Sequence, residues 1–188
     1  GYTYIDSAEV DGPAYAWNDI SGTGTDTKID DDGEVTIPLP FNFWFYGSAY
    51  SEVTVGDGAL LFGTSTSINN RNDCLPDNNS DGSDTLILPM WDDLNAEETK
   101  TGGLYWELQG TSPERELIIQ YEQVPHYDSS SFYTFQVVLG ESGSTILFQY
   151  DSIDGKDEYA NGASATVGIQ QDQMVGLEYA CESPDALY

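Results

Sequence analysis

The sequence predicts an all-β fold: an antiparallel β-sandwich, jelly-roll-like, of about eleven strands. Three observations carry that expectation. Apolar and polar residues alternate with period two over several short runs, the mark of antiparallel strands with one buried face. Clusters of Gly, Asp, Asn, Ser and Pro separate the runs and supply the turns. No stretch of useful length carries helical periodicity. The candidate strands cover residues 34–39, 43–46, 52–55, 59–62, 86–89, 103–108, 116–121, 133–139, 145–150, 164–169 and 175–179.

The clearest strands fix the pattern. Phe135, Val137 and Leu139 share one face, with Thr134 and Gln136 on the other. Ile146, Phe148 and Tyr150 repeat it, as do Ala165, Val167 and Ile169. Glu141-Ser142-Gly143-Ser144 joins two of these runs as a hairpin turn. Residues 1–33 are less regular. There Tyr2, Tyr4, Ile5, Tyr15 and Trp17 suit an edge strand or a covering arm, and 22–33 suits a polar loop. Neither a repeat nor a linker divides the chain, so 1–188 reads as one sandwich domain with its main body over 34–182. A chain this long buries roughly 70% of its unfolded surface, enough for a true core.

Acidic residues number 33 against 5 basic ones, for a net charge of −28. Phosphate neutralisation needs Lys and Arg, so nucleic acid is excluded as a partner and an anionic membrane surface is disfavoured. Two readings of the acidity stand together. It keeps a protein soluble in saline water, where screening over roughly 8 Å or less relieves self-repulsion; or some carboxylates bind Ca²⁺. No run approaches the ~18 apolar residues of a membrane-spanning helix, so membrane insertion is not expected. The chain begins Gly1-Tyr2-Thr3 and reads as a mature or excised fragment. Cys74 and Cys181 sit in polar, turn-like surroundings. In an exported protein they pair, closing a loop of about a hundred residues worth up to ~4–5 kcal/mol. The alternative is two buried free thiols.

The motifs also carry a family resemblance. The segment Ile37-Pro38-Leu39-Pro40-Phe41-Asn42-Phe43-Trp44-Phe45-Tyr46-Gly47 is followed by Tyr50 and then by Val53-Thr54-Val55-Gly56-Asp57-Gly58-Ala59-Leu60-Leu61-Phe62-Gly63. It resembles the opening PFxFxFYGxxYxxVxVxxNGxLxFG of a bacterial and archaeal extracellular β-domain distantly similar to the NIDO domain of nidogen. Leu88-Pro89-Met90-Trp91-Asp92-Asp93-Leu94, Phe135-Gln136-Val137-Val138-Leu139, Ile146-Leu147-Phe148-Gln149-Tyr150, Ala163-Ser164-Ala165-Thr166-Val167-Gly168-Ile169 and Gly176-Leu177-Glu178-Tyr179 keep the family's order. Asp57 departs from the usual Asn before Gly, yet both residues tolerate a positive φ. The resemblance implies an accessory or adhesive module outside the cell. The family brings no catalytic residues to carry over.

Asp77-Asn78-Asn79-Ser80-Asp81-Gly82-Ser83-Asp84 copies the first half of a Ca²⁺ loop. Oxygen ligands alternate and a Gly makes the tight turn. Asp77, Asn79 and Asp81 would ligate through side chains and Ser83 through its carbonyl. The twelfth position is Leu88, so a bidentate carboxylate must come from Asp84, Asp73 or farther away. The plain alternative is a solvated acidic turn. In Trp91-Asp92-Asp93-Leu94, alternation sends Asp92 and Asp93 to opposite faces. They suit a cation, or more simply backbone N–H acceptance. Asp30-Asp31-Asp32-Gly33 reads as a turn of repelling charges. His126, the one histidine, falls in a loop and supports neither a nucleophilic triad nor a zinc site. Tyr127, Phe132 and Tyr133 flank a serine run as an exposed aromatic cluster, against the alternative of core packing.

The expected function is therefore a non-catalytic extracellular or cell-surface module that binds a protein or glycan ligand, with Ca²⁺ as its cofactor. Two alternatives stay open. One is a structural subunit that self-assembles through strand edges or Ca²⁺ bridges. The other is a carbohydrate-binding module of a secreted hydrolase.

Overall fold

The computed structural model describes residues 1–63, 67–77, 85–96, 102–129, 132–153, 155, 158–183 and 187. Among them run β1 (Thr25–Asp26), β2 (Val35–Phe45), β3 (Ser48–Gly56), β4 (Ala59–Phe62), β5 (Thr85–Trp91) and β6 (Gly103–Gln109). There follow β7 (Glu116–Pro125), β8 (Phe132–Gly140), β9 (Ile146–Ser152), β10 (Thr166–Asp172) and β11 (Val175–Cys181). They form two antiparallel sheets, β1-β6-β7-β8-β9 and β11-β10-β5-β4-β3-β2. Both sheets stay open, and together they make a β-sandwich.

The alternation seen in the sequence becomes the core. In β2 the residues Ile37, Leu39, Phe41, Phe43 and Phe45 are buried and their neighbours Thr36, Asn42 and Trp44 are exposed. They pack with Ile87 and Met90 of β5, Leu117, Ile119 and Tyr121 of β7, and Phe135, Val137 and Leu139 of β8 in one cluster spanning both sheets. One difference from the sequence reading lies in β2, which is a single strand where alternation suggested two. Pro38 and Pro40 lack the N–H that a ladder needs. The register with β3 jumps from Pro38↔Glu52 to Phe43↔Tyr50, so the strand bulges and continues. Its place at the sheet edge makes this tolerable.

The outer faces are covered as well. Residues 16–20 of the arm lie across β7, β8 and β9 and are held by three glutamines. The Ala16 amide donates to Gln149 Oε1 at 2.9 Å, Gln136 Nε2 donates to the Asn18 carbonyl at 2.7 Å, and the Ile20 amide donates to Gln120 Oε1 at 2.9 Å. The three glutamines are also linked to each other, by Gln136 Nε2 to Gln120 Oε1 at 2.7 Å and Gln149 Nε2 to Gln136 Oε1 at 3.5 Å. Ile20, 0% exposed, packs there on Ile118 and Val138. On the other sheet, residues 67–77 cover Ala59, Leu61, Leu86, Leu88 and Trp91 through Ile68 and Leu75. The Trp91 indole N–H donates to the Asn69 carbonyl at 2.6 Å. Cys74 and Cys181 form a disulfide, Cα–Cα 5.4 Å, that fastens this cover to the end of β11.

One cation joins the edge strand to the facing sheet. Arg115, just before β7, donates to Glu141 Oε2 at 2.8 Å and Oε1 at 2.6 Å, and to the Pro40 carbonyl at 2.8 Å. Its guanidinium also lies over Phe41, 5.5 Å from the ring centre. The bond to Arg115 holds the Glu141 carboxyl far down, at about 2.

Two outcomes follow from this packing. Ile20→Ala is expected to cost roughly 2–5 kcal/mol in urea unfolding, whereas Val10→Ala, at 89% exposure, should stay within about 0.5 kcal/mol. Equal stability of Ile20→Ala and wild type would mean that the arm leaves the sheet in solution. For Glu141, the depressed folded-state pKa contributes stability above the ordinary value, and that stability disappears as pH falls through about 2. Glu141→Gln should therefore melt below wild type at pH 7, with the gap closing in scans toward pH 2.

Candidate functional site

At one end of the sandwich the β3–β4 turn, the chain after β5, the β7–β8 connection and the loop before β2 meet. The β3–β4 turn is Asp57-Gly58, with φ of 32° and 66°, the two-residue hairpin geometry that suits Asp-Gly. Only glycine fits at 58, because a Cβ there would lie 1.7 Å from the Met90 carbonyl oxygen. The turn is fixed by three further bonds. The Met90 amide donates to the Gly58 carbonyl at 3.2 Å, the Asp92 amide to the Asp57 carbonyl at 3.4 Å, and the Tyr121 hydroxyl to the Gly56 carbonyl at 3.3 Å. A Cβ on Gly56 would lie 2.7 Å from the Gly33 carbonyl oxygen, so the acidic loop before β2 is laid directly on this turn.

The result is a concentration of carboxylates around Asp57, which is 5% exposed. Among the described residues no donor reaches its side chain. Burial, followed by the charges of Asp32, Asp93, Asp31 and Glu34, lifts its pKa to about 8. Asp93 is shifted upward too, by its own burial; the charge of His126 pulls it down, and Asp32, Asp31 and Asp92 push it up.

Asp92, 3% exposed, faces the other way, into a closed polar chain. Its Oδ2 accepts the Ser164 hydroxyl at 2.6 Å and its Oδ1 lies 3.3 Å from His126 Nε2. His126 is buried, forms an isolated bridge with Leu94, and stacks on Tyr159 with ring centres 3.9 Å apart. Two influences oppose each other at the imidazole. Burial lowers its pKa, and the hydrogen bond and charge of Asp92, with Asp93 and Asp128, outweigh that and raise it. The Asp128 amide donates to Nδ1 at 3.0 Å, which places the proton of the neutral ring on Nε2, toward Asp92. Serine, aspartate and histidine thus occur in a chain with the carboxylate in the middle. A hydroxyl bonded to the carboxylate and away from the imidazole is not activated as a nucleophile.

The sequence-predicted site residues fall in separate places. Asp77 is buried at the far end of β5 from Asp92 and Asp93; its amide donates to Gln170 Oε1 at 2.7 Å. Asn79, Asp81, Ser83 and Asp84 lie outside the described residues. The aromatic trio divides. Tyr127 and Phe132 are exposed, at 57% and 43%. Tyr133 is a correction to the expected exposed cluster: it is 0% exposed, and its hydroxyl donates to the Tyr159 carbonyl at 3.1 Å. The period of β8 decides this, since Tyr133 shares the inner face of Phe135 and Val137. His126, expected in a loop, is pinned in the bridge to Leu94. Asp57, Ser164 and the Gln120–Gln136–Gln149 row were not visible in the sequence as site residues. Asp57 could be recognised only as a turn residue. One further set, Cys74, Glu178 and Cys181, has ligand-type atoms within 4.8 Å of one another, but both sulfurs are consumed by the disulfide.

The family model of NIDO-related domains matches residues 9–188. The chain belongs to the NIDO-related family. No curated protein and no solved structure matches it. The two-sheet architecture of this NIDO-related domain agrees with the resemblance carried by its motifs. An extracellular domain module fits both the membership and the disulfide, which persists in oxidising surroundings. Among the described residues, no helix is long and apolar enough to cross a membrane.

The polar chain gives a measurable consequence. Asp92→Ala strands His126 and Ser164 without their shared acceptor and is expected to cost roughly 2–4 kcal/mol. Ser164→Ala, which removes a single donor, should cost about 1 kcal/mol. Both are read by urea unfolding, and equal costs would show that Asp92 does not hold the two elements together.

Proposed function

We propose that this NIDO-related domain is a non-catalytic binding or adhesion module of a larger secreted or cell-surface protein, stabilised by Ca²⁺, that engages a protein or glycan outside the cell. The observation that carries the reading is the pair of exposed aromatics at one end of the sandwich, Tyr127 just after β7 and Phe132 at the start of β8. They stand on a rigid frame, since the Tyr127 amide donates to the Asp93 carbonyl at 2.8 Å. Large rings fixed at low entropic cost are suited to recognition. Loops at the end of a sandwich are the usual place for it. The non-catalytic part is supported by the order of the Ser164–Asp92–His126 chain. Ca²⁺ would be held by Asp77, Asn79, Asp81, Ser83 and Asp84, where the acidic loop pattern supplies hard oxygen ligands.

A second reading, a subunit that self-assembles through strand edges, is favoured by β11. This edge strand carries Val175 and Tyr179 at 42% and 39% exposure, and Met174 precedes it. An exposed edge with apolar side chains is a template for strand pairing.

The test separates the readings. The chain and its Tyr127→Ala/Phe132→Ala variant are applied to intact cells, to an extracellular protein fraction and to insoluble polysaccharides, with sedimentation velocity run alongside. Adhesion predicts binding to cells or protein that falls on the order of tenfold in the variant, with a monomeric chain. Binding to polysaccharide alone would make it a carbohydrate module. Reversible assembly without binding would make it a structural subunit.

A further inference from the structure

We propose that His126 is a pH-operated latch on the turn 126–129: when its ring gains a second proton, the Asp128 amide must let go of it and the Asp128 carboxylate takes the amide's place. The device goes beyond the adhesive reading and does not depend on any ligand.

The geometry carries the proposal. The turn closes through the Ser129 amide, which donates to the His126 carbonyl at 3.0 Å. Inside that turn the Asp128 amide donates to His126 Nδ1 at 3.0 Å, a local bond between a side chain and the backbone two residues on. Nδ1 accepts through its lone pair, so this bond exists only while Nδ1 carries no proton. The neutral ring then carries its proton on Nε2, 3.3 Å from Asp92 Oδ1. A second proton can go only to Nδ1. There it would face the Asp128 N–H, donor against donor, and one of the two must move.

The ring is not the part that moves. It is buried, and it stacks on Tyr159 with centres 3.9 Å apart and planes at 17°. Its Nε2 side rests on Asp92, whose oxygens are spent as acceptors. Oδ2 takes the Ser164 hydroxyl at 2.6 Å, and Oδ1 takes the Asp93 amide at 3.0 Å as well as the imidazole. Protonation strengthens both holds, because the Asp92 contact becomes ionic and an aromatic face attracts a cation. The turn is the looser partner, with Tyr127 and Asp128 both exposed. The charges that bear on the ring are Asp92 and Asp93 from the chain after β5 and Asp128 from the turn itself, all acidic. Tyr159, from the segment before β10, presents its ring face. Burial works against the imidazolium; the bond to Asp92 and the three carboxylates outweigh it and raise the pKa above the ordinary 6.5. The latch therefore opens well above the pH at which surface carboxylates titrate. Asp128 serves both states, with its amide for the neutral ring and its carboxylate for the cation.

The test is an NMR titration of the full chain from pH 8 to pH 5, in which the single histidine identifies itself. At pH 8 the ring should be the Nε2-protonated tautomer. On acidification Nδ1 should gain its proton with a midpoint above 6.5. The Tyr127 and Asp128 amide signals should shift with that same midpoint, and protection of the Asp128 amide against exchange should fall about tenfold. His126→Phe keeps a ring on Tyr159 and should abolish the shared midpoint at 127 and 128. Asp128→Asn, at an exposed position, should retain that midpoint and lower it, because one negative charge is gone. Stability gives a separate readout. A raised folded-state pKa contributes stability that is full below 6.5 and is lost as pH rises through the folded value. The lead of wild type over His126→Phe in melting temperature should therefore be larger at pH 5.5 than at pH 8. If His126→Phe does not fold, wild type and Asp128→Asn decide the matter by themselves. A ring protonated on Nδ1 at pH 8, a midpoint down among the carboxylates, or amides at 127 and 128 that stay still while His126 titrates would overturn the proposal. All of these signals are read without ligand, so they are separate from any result for Tyr127 and Phe132 on cells.

Discussion

Strands β7 and β8 in one sheet, and β4, β5 and β10 in the other, are buried on both faces, and this double burial organises the molecule. An antiparallel sheet commonly leaves one face to water. Here each outer face is covered, and each cover is a non-strand segment whose ordering costs roughly 1–2 kcal/mol of backbone entropy per residue. Different devices offset that cost. On the five-stranded sheet the glutamine row meets the arm's backbone at residues 16, 18 and 20, matching the period of an extended chain, while Ile20 contributes apolar burial. On the six-stranded sheet the disulfide fastens the cover. It restricts the unfolded chain, so less entropy is lost on folding.

Charge follows a different logic from packing. Most of the described acidic residues are exposed, where salt screens them and each costs little. Among the described residues two cations are committed locally: Lys28 pairs with Asp26, and Arg115 with Glu141. At the Asp57 end the nearby base, His126, is turned toward Asp92. Asp57 is largely buried, and burial, ahead of the charges of Asp32, Asp93, Asp31 and Glu34, raises its pKa.

The sheets were legible because period-two alternation is a local property. Phe135, Val137 and Leu139 point inward as their spacing requires, and Asp57-Gly58 turns as an Asp-Gly pair should. What was hidden depends on residues far apart in sequence. Gln136 sits on the face opposite Phe135, as expected, but nothing near it shows that residues 16–20 will lie over it. Asp57 reads as an exposed turn residue, and its burial comes from Gly33 packing on Gly56. Alternation divided β2 into 34–39 and 43–46, whereas the edge strand runs through Pro38 and Pro40 with a shift of register against β3. Tyr133 was grouped with Tyr127 and Phe132 by proximity, although the phase of β8 already assigned it to the core.

Family membership establishes the fold and leaves function to the sites built upon it. Two such features are joined in this sandwich. Asp93 offers its side chain to the acidic cluster and its backbone carbonyl to the Tyr127 amide. One residue therefore links the carboxylates around Asp57 to the connection that carries Tyr127 and leads to Phe132 at the start of β8. A backbone held in place before binding reduces the entropy lost when a ligand orders the rings that stand on it. The hairpin at Gly58, wedged against the Met90 carbonyl and bonded through Asp57 to the Asp92 amide, fixes the chain just before Asp93.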